Sequence, residues 1–217
     1  MRIQIARALL LTAAISASCA SADNTSGRSV GASEPNLIAF VGRRLRVQYV
    51  EPKGDVMFDA EYRVRAEVLE MVFGKFGEKQ IEFSSYVHVG EPAFGKDEFG
   101  LVYVSKHDGR FVQQKYLFQP VHRTRDGRWA SCGDPYAWIA DVHRHGVEAE
   151  PIMFDPSLTF DMQKGAREQG FPSFQAPFFR IDKNVAVCVM GNYPRELLRV
   201  MAEGYLRARG VLVPALH

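Results

Sequence analysis

The sequence predicts a mainly β (α+β) fold: a small antiparallel β-barrel, then a helix, a β-hairpin and a C-terminal amphipathic helix. Three observations carry this. Five or more segments in the first half alternate apolar and polar residues with a period of two, and no helical repeat separates them. Turn signals stand between the segments, His107-Asp108-Gly109-Arg110 and Asp126-Gly127 among them. Helical patterning enters only after residue 132. Strands at this spacing close most simply into a barrel, which leaves few exposed edges.

Ahead of the strands an export signal is expected. Arg2 and Arg7 make a positive start, and Ala8 to Ala17 is an uncharged run too short to span a bilayer. Two ends are open to it. Cleavage after Ala20-Ser21-Ala22 removes residues 1–22 and leaves a chain that begins at Asp23. Alternatively, Ile15-Ser16-Ala17-Ser18-Cys19 resembles a bacterial lipoprotein signal, in which residues 1–18 are removed and Cys19 is acylated; Ser16 stands where that signal prefers Leu. Residues 23–36 read as a flexible polar tether. Residues 37–217 read as one domain, with 37–131 the barrel part and 132–217 a mixed α/β tail. Both ends place the protein outside the cytoplasm, in the periplasm or lipid-anchored in a bacterial envelope, and a membrane is met only through an acylated Cys19.

The leader holds two of the 27 Lys and Arg residues and none of the 25 Asp and Glu, so the remainder balances at 25 against 25. A chain without net positive charge lacks the field that gathers nucleic acid. The three cysteines then sort themselves: either leader fate takes Cys19 out of the fold, and Cys132 and Cys188 remain as a pair. In an oxidising compartment such a pair joins, closing a loop worth about 4 kcal/mol of unfolded-chain entropy.

The elements follow in order. NLIAFVGRRLRVQYVE is the first strand, with Leu45, Val47 and Tyr49 expected on one face, Arg44, Arg46 and Gln48 on the other, and a bulge or bend at Gly42. FDAEYRVRAEV places Phe58, Ala60, Tyr62, Val64, Ala66 and Val68 on a dry face. KQIEFSSYVHV does the same with Ile81, Phe83, Ser85, Val87 and Val89. FGLVYVSK and RFVQQKYLFQPV flank the His107–Arg110 hairpin turn. Arg43 to Arg46, Arg63 and Arg65 face a set of acids, Asp59, Glu61 and Glu67, which predicts cross-strand ion pairs. Asp134 as cap, Pro135 at the first position and Gly146 at the exit predict a helix over PYAWIADVHRH. FFRIDKNVAVCVM reads as a hairpin turning at Asp182-Lys183-Asn184, with Cys188 on the face of Ala186 and Met190. PRELLRVMAEGYLRARG reads as a helix with Pro194 and Glu196 in its first turn, Gly210 after its last, and an apolar stripe of Leu197, Leu198, Met201, Tyr205 and Ala208.

Between about residues 39 and 121 a long strand is followed by VRAEVLEMVFGKFGEKQIEF, a turn-rich excursion and EFGLVYVSKHDGRF. This arrangement resembles the OB-type barrel of netrin-like modules and tissue inhibitors of metalloproteinases. The resemblance implies an OB-like architecture. It does not bring protease inhibition with it, because that family acts through a cysteine at the N-terminus of the folded barrel, and none stands near Asn36.

Candidate chemistry is sparse. Cys132, just before a helix N-terminus, would suit a thiol-dependent hydrolase if its sulfur were free. His143 lies along the same helix and cannot reach back, so a base would come from His88, His107 or His122. Pairing with Cys188 is the competing fate. Asp141, His143 and His145 do not converge on one ion, since 143 points away from the face shared by 141 and 145. No metal or cofactor is therefore assigned, and no catalytic residue. No G-x-S-x-G, Gly-rich phosphate loop, H-E-x-x-H or C-x-x-C occurs. GFPSFQAPFF is the most suggestive binding element: Phe171, Phe174, Phe178 and Phe179, stiffened by two prolines, form either an exposed anchor patch or a lid over the barrel mouth. The expectation is a non-enzymatic envelope module that binds a protein partner or another envelope component. A thiol hydrolase using Cys132, or a purely structural envelope lipoprotein, is the alternative. The sequence assigns no oligomeric state.

Overall fold

Alternation in the first half becomes a closed sheet. The computed structural model describes residues 36–52, 58–137, 144 and 146–214. Its first five strands are β1 (Leu37–Val50), β2 (Ala60–Phe73), β3 (Gln80–Val87), β4 (Phe99–His107) and β5 (Arg110–Pro120). They join in the order β1-β2-β3-β5-β4, with β4 returning to β1 to complete a barrel. The fold is mainly β, 48% strand and 14% helical.

One expectation needs correcting: the barrel is not wholly antiparallel. β3 and β5 run parallel, pairing Phe83 with Phe111 and Ser84 with Val112. Closure dictates this. Five strands in a ring cannot all oppose their neighbours, so one pair of an odd-numbered barrel must run the same way. The β4–β5 hairpin turns tightly at Asp108 and Gly109, both at positive φ (48° and 80°), the geometry of a two-residue hairpin loop. It folds β5 back into the gap between β4 and β3.

β1 and β4 are buried on both faces in their shared half, Leu37–Gly42 against Gly100–Ser105. One set of side chains fills the barrel: Ile38, Phe40, Val102 and Val104 meet Val64, Ala66, Ile81, Phe83 and Phe94. The other set faces outward under the tail, where Leu37, Ala39, Val41, Leu101 and Tyr103 meet Leu197, Leu198, Met201 and Leu206. β3 is the cleanest of the strands, with Ile81, Phe83, Ser85 and Val87 buried and each neighbour between them more exposed. Gly42 lies at one of three register slips between β1 and β2, as a bulge requires. The ion pairs form across strands: Arg43 to Glu67 at 2.6 Å, Arg63 and Arg65 both to Glu82.

The outer half of β1 departs from its pattern. Val47 is half-buried, but Leu45 and Tyr49 are exposed. The dry faces of the next two strands also stop short of their ends, leaving Phe58 and Val89 in solvent.

The tail adds short strands: β6 (His122–Arg123), β7 (Trp129–Cys132), β8 (Glu150–Pro151), β9 (Thr159–Asp161), β10 (Phe179–Asp182), β11 (Val185–Cys188) and β12 (Met190–Asn192). They make two sheets, ordered β6-β7-β12-β8 and β10-β11-β9. The β10–β11 hairpin turns where expected, with Lys183 at φ 54°. Cys132 and Cys188 are joined, Cα to Cα 6.1 Å, and the bond links the two sheets. A third core surrounds it, built on Ala130, Ile152, Phe154, Phe179 and Ala186.

Helix α1 (Pro194–Met201) begins with Glu196 accepting from the Tyr193 backbone N–H at 3.0 Å. It continues as a π-helical stretch over Ala202–Leu206, and this corrects the expected stripe. The wider turn inserts one residue, so Leu206 takes the buried place and Tyr205 turns to solvent. Where a helix is expected after Asp134, the described residues show a turn at 135–137, with the Asp134 carboxylate accepting from the Tyr136 N–H at 3.0 Å. Residues 138–143 and 145, Asp141, His143 and His145 among them, lie outside the described residues, as do the leader, Cys19 and the tether to residue 35.

Candidate binding surface

The Phe-rich segment does not cover the barrel. Phe171, Phe174 and Phe179 pack around Phe160 of β9, with ring centroids 4.8 to 6.0 Å apart, within the third core. Phe179 is buried and Phe171, Phe174 and Phe178 are half-buried, so the segment spends its rings on one another and on the disulfide region. Cys132 offers no thiolate, since its sulfur is bonded to Cys188. Among the described residues no group of three or more His, Cys, Asp or Glu side chains is placed to hold a metal ion.

A cleft of about 520 Å³ lies where β1, β2 and β4 meet the tail. Its aromatic floor is already covered: Arg123 sits 4.0 Å from the Trp129 ring centroid on one side, and Phe99 packs 4.9 Å away. Arg43 is taken up by Glu67, and Arg123 also donates to the Gly127 carbonyl. His122 lines the same cleft, half-buried, and that burial pushes its imidazole pKa down and favours the neutral form.

The barrel end is different. Register collects there the apolar residues that pattern alone would bury. Tyr49 opposes Tyr62 across β1 and β2. Phe58 and Val89 lie two residues beyond the Ala60–Val87 pair, where the β2–β3 ladder would continue. Tyr116 joins them from β5. Exposure is 49% for Tyr49, 84% for Phe58, 85% for Val89 and 64% for Tyr116, values far above those of core neighbours on the same strands. Tyr116 is held out by its backbone, φ 64°, a left-handed conformation that a bulky residue adopts only when its surroundings impose it. The constraint is visible: Arg209, just after the C-terminal helix, donates to the Lys115 carbonyl at 2.8 Å.

A polar cluster fixes the same end. The Lys115 ammonium donates to the Asp59 carboxylate at 2.6 Å, and His88 Nδ1 stands 3.6 Å from that carboxylate and 2.7 Å from the Phe58 carbonyl oxygen. The Lys115 bond holds the Asp59 carboxyl below its ordinary pKa, with His88 adding to it. Lys115 also lies 5.2 Å from the Tyr116 ring centroid. Beside this end a groove of about 660 Å³ follows the outer half of β1, past Arg44, Arg46 and Tyr49 to Glu91 and Glu98.

No protein-family model, curated protein or solved structure matches the chain. The barrel end was missed in the sequence because Phe58, Tyr49 and Val89 each continue an alternation that does bury its earlier members. The signal that was present is weak: Phe58 and Val89 stand just past the last paired residues, Ala60 and Val87, where a strand runs out of partners.

Proposed function

We propose that this chain is an exported, non-enzymatic binding module of a bacterial envelope, and that it holds a protein or another envelope component on the exposed end of an OB-type barrel. One observation carries the reading: Tyr49 and Tyr116 on their strands, and Phe58 and Val89 just past the Ala60–Val87 pair, are all exposed at the barrel end, one of them in a conformation that its neighbours must enforce. A purely structural envelope protein would gain nothing from that exposure. The strand order β1-β2-β3-β5-β4, with a single short helical turn between β3 and β4, supports the OB assignment. Export is supported by the leader-like start and by the Cys132–Cys188 bond, which an oxidising compartment preserves. No helix among the described residues is long and apolar enough to cross a membrane. A thiol hydrolase would need a free Cys132, and nothing in the geometry favours that second reading.

Photo-crosslinking tests the surface. A benzophenone amino acid is placed at Phe58 or Tyr116 in the full chain, produced in a bacterial host and exported, and in parallel at Met162 and Leu212, exposed positions elsewhere on the molecule. Adducts formed from the first pair and not the second are expected. Equal adducts from all four, or none, overturn the assignment of this end as the binding surface.

A further inference from the structure

The groove along β1 has a chemistry of its own. Tyr62 is fixed in it, its hydroxyl donating to the Gly90 carbonyl at 3.0 Å, and it props the Tyr49 ring at a 62° tilt, centroids 5.6 Å apart. Beside it Tyr49 stays 49% exposed. Arg44 is anchored through a bond to the Gly95 carbonyl. Around the ring, Arg46, Glu91 and Glu98 have no hydrogen bond or ion pair to their charged groups among the described residues, although cations and anions share one groove. The barrel's ion pairs, Arg43 with Glu67, Arg63 and Arg65 with Glu82, and Lys115 with Asp59, do not draw on these three side chains, which stay individually available.

That lining selects by elimination. A polyanion such as nucleic acid would be repelled by Glu91 and Glu98, and a polycation by Arg44 and Arg46. An acyl chain would offer no partner to Arg46, Glu91 or Glu98 and only dispersion in return. A sugar satisfies every group: each hydroxyl accepts from a guanidinium and donates to a carboxylate, and the apolar C–H face of the ring lies flat on a tyrosine. We propose that the groove is a glycan-binding site, with the sugar ring on Tyr49 and its hydroxyls shared between Arg46 and the carboxylates of Glu91 and Glu98. The inference rests on the reading of the barrel end as a binding surface and names the ligand class for it. Two sources offer this chemistry, a free oligosaccharide and the glycan strands of a cell wall.

The test is an NMR titration of the full chain with a soluble β-1,4-linked N-acetylglucosamine tetramer and with maltotetraose, and in parallel with a thymidine oligonucleotide and an apolar hexapeptide. Either sugar should shift the resonances of Tyr49, Tyr62 and Arg46, and Tyr49→Ala and Arg46→Ala should each weaken the binding about tenfold or more, equivalent to about 1.4 kcal/mol. Circular dichroism confirms that both variants are folded; because Arg46 is exposed and without a partner, its removal leaves packing intact. Co-sedimentation with purified cell-wall sacculi assigns the source: retention there points to the polymer, and tetramer binding without it to a free sugar. Groove shifts caused by the oligonucleotide or the peptide, and by neither sugar, overturn the glycan assignment and leave the binding-surface reading standing. Silence from all four probes up to about 10 mM overturns the glycan assignment, and if crosslinks at Phe58 and Tyr116 are also absent it overturns both.

Discussion

His122 shows how a single residue carries a pH dependence that can be worked out from its surroundings. Burial lowers its pKa in the folded protein, while in the unfolded chain it titrates near its ordinary value of 6.5. Below that value the unfolded state takes up a proton that the native state resists. Stability therefore declines as the pH falls below about 6.5, and the decline levels off once the native imidazole also protonates. His122→Gln removes the titration and keeps a polar group of similar length. In urea melts between pH 7 and pH 5, the wild-type midpoint should fall while that of His122→Gln stays flatter through the same window. Parallel curves would show that the cleft leaves His122 solvated. Asp126, held at about 2 first by its hydrogen bond to Arg128, keeps its charge throughout this window and does not confuse the comparison.

At the level of elements, legibility followed length and regularity. β3 was readable because Ile81, Phe83, Ser85 and Val87 keep strict step, and the β10–β11 hairpin because Lys183 and Asn184 sit between two alternating runs. β8 and β12, two and three residues long, are too short to carry any period, and their positions are set by what they pair with. The order of strands in the barrel was equally invisible, since the residues of β5 say nothing about whether it enters beside β3 or outside β4. The C-terminal helix is the instructive failure. Its stripe reads correctly through Leu197, Leu198 and Met201 and then slips by one at the π-helical turn, a backbone event with no side-chain signature. The consequence is measurable. Leu206→Ala should destabilise by roughly 2–5 kcal/mol, the cost of emptying a buried leucine site, whereas Tyr205→Ala should cost well under half of that. Chemical denaturation of the two variants compares them directly, and an equal loss would restore the regular α-helical stripe.

For the whole molecule the question is what holds the tail to the barrel. β1 and β4 answer for one part, because alternate residues of the same strands feed the barrel interior and the core under α1. Neither core survives without those strands, so the α1 region and the barrel should unfold together. The Phe-rich region shares neither β1 nor β4; it meets the core under α1 through β7, whose Trp129 lies in that core and whose Ala130 lies in the third. Its core consists of short strands and a ring of phenylalanines, and none of its buried members belongs to β1 through β5. Small cores of that kind depend on staples, and the crosslink spans a sequence separation of 56 residues. Removing it by a double Cys132→Ser, Cys188→Ser change should cost about 4 kcal/mol of unfolded-state entropy and lower the melting temperature by roughly 8–16 °C. The loss should also be uneven. Hydrogen exchange in the double variant is expected to quicken in β9, β10 and β11 while β1 through β5 keep their protection, since opening the stapled region exposes neither barrel core. A uniform acceleration across both parts would mean that the disulfide supports the barrel as well. Sugar binding at Tyr49 should be indifferent to the change, because the groove is lined by β1, β2 and the residues before β4, whereas the crosslink joins β7 to β11.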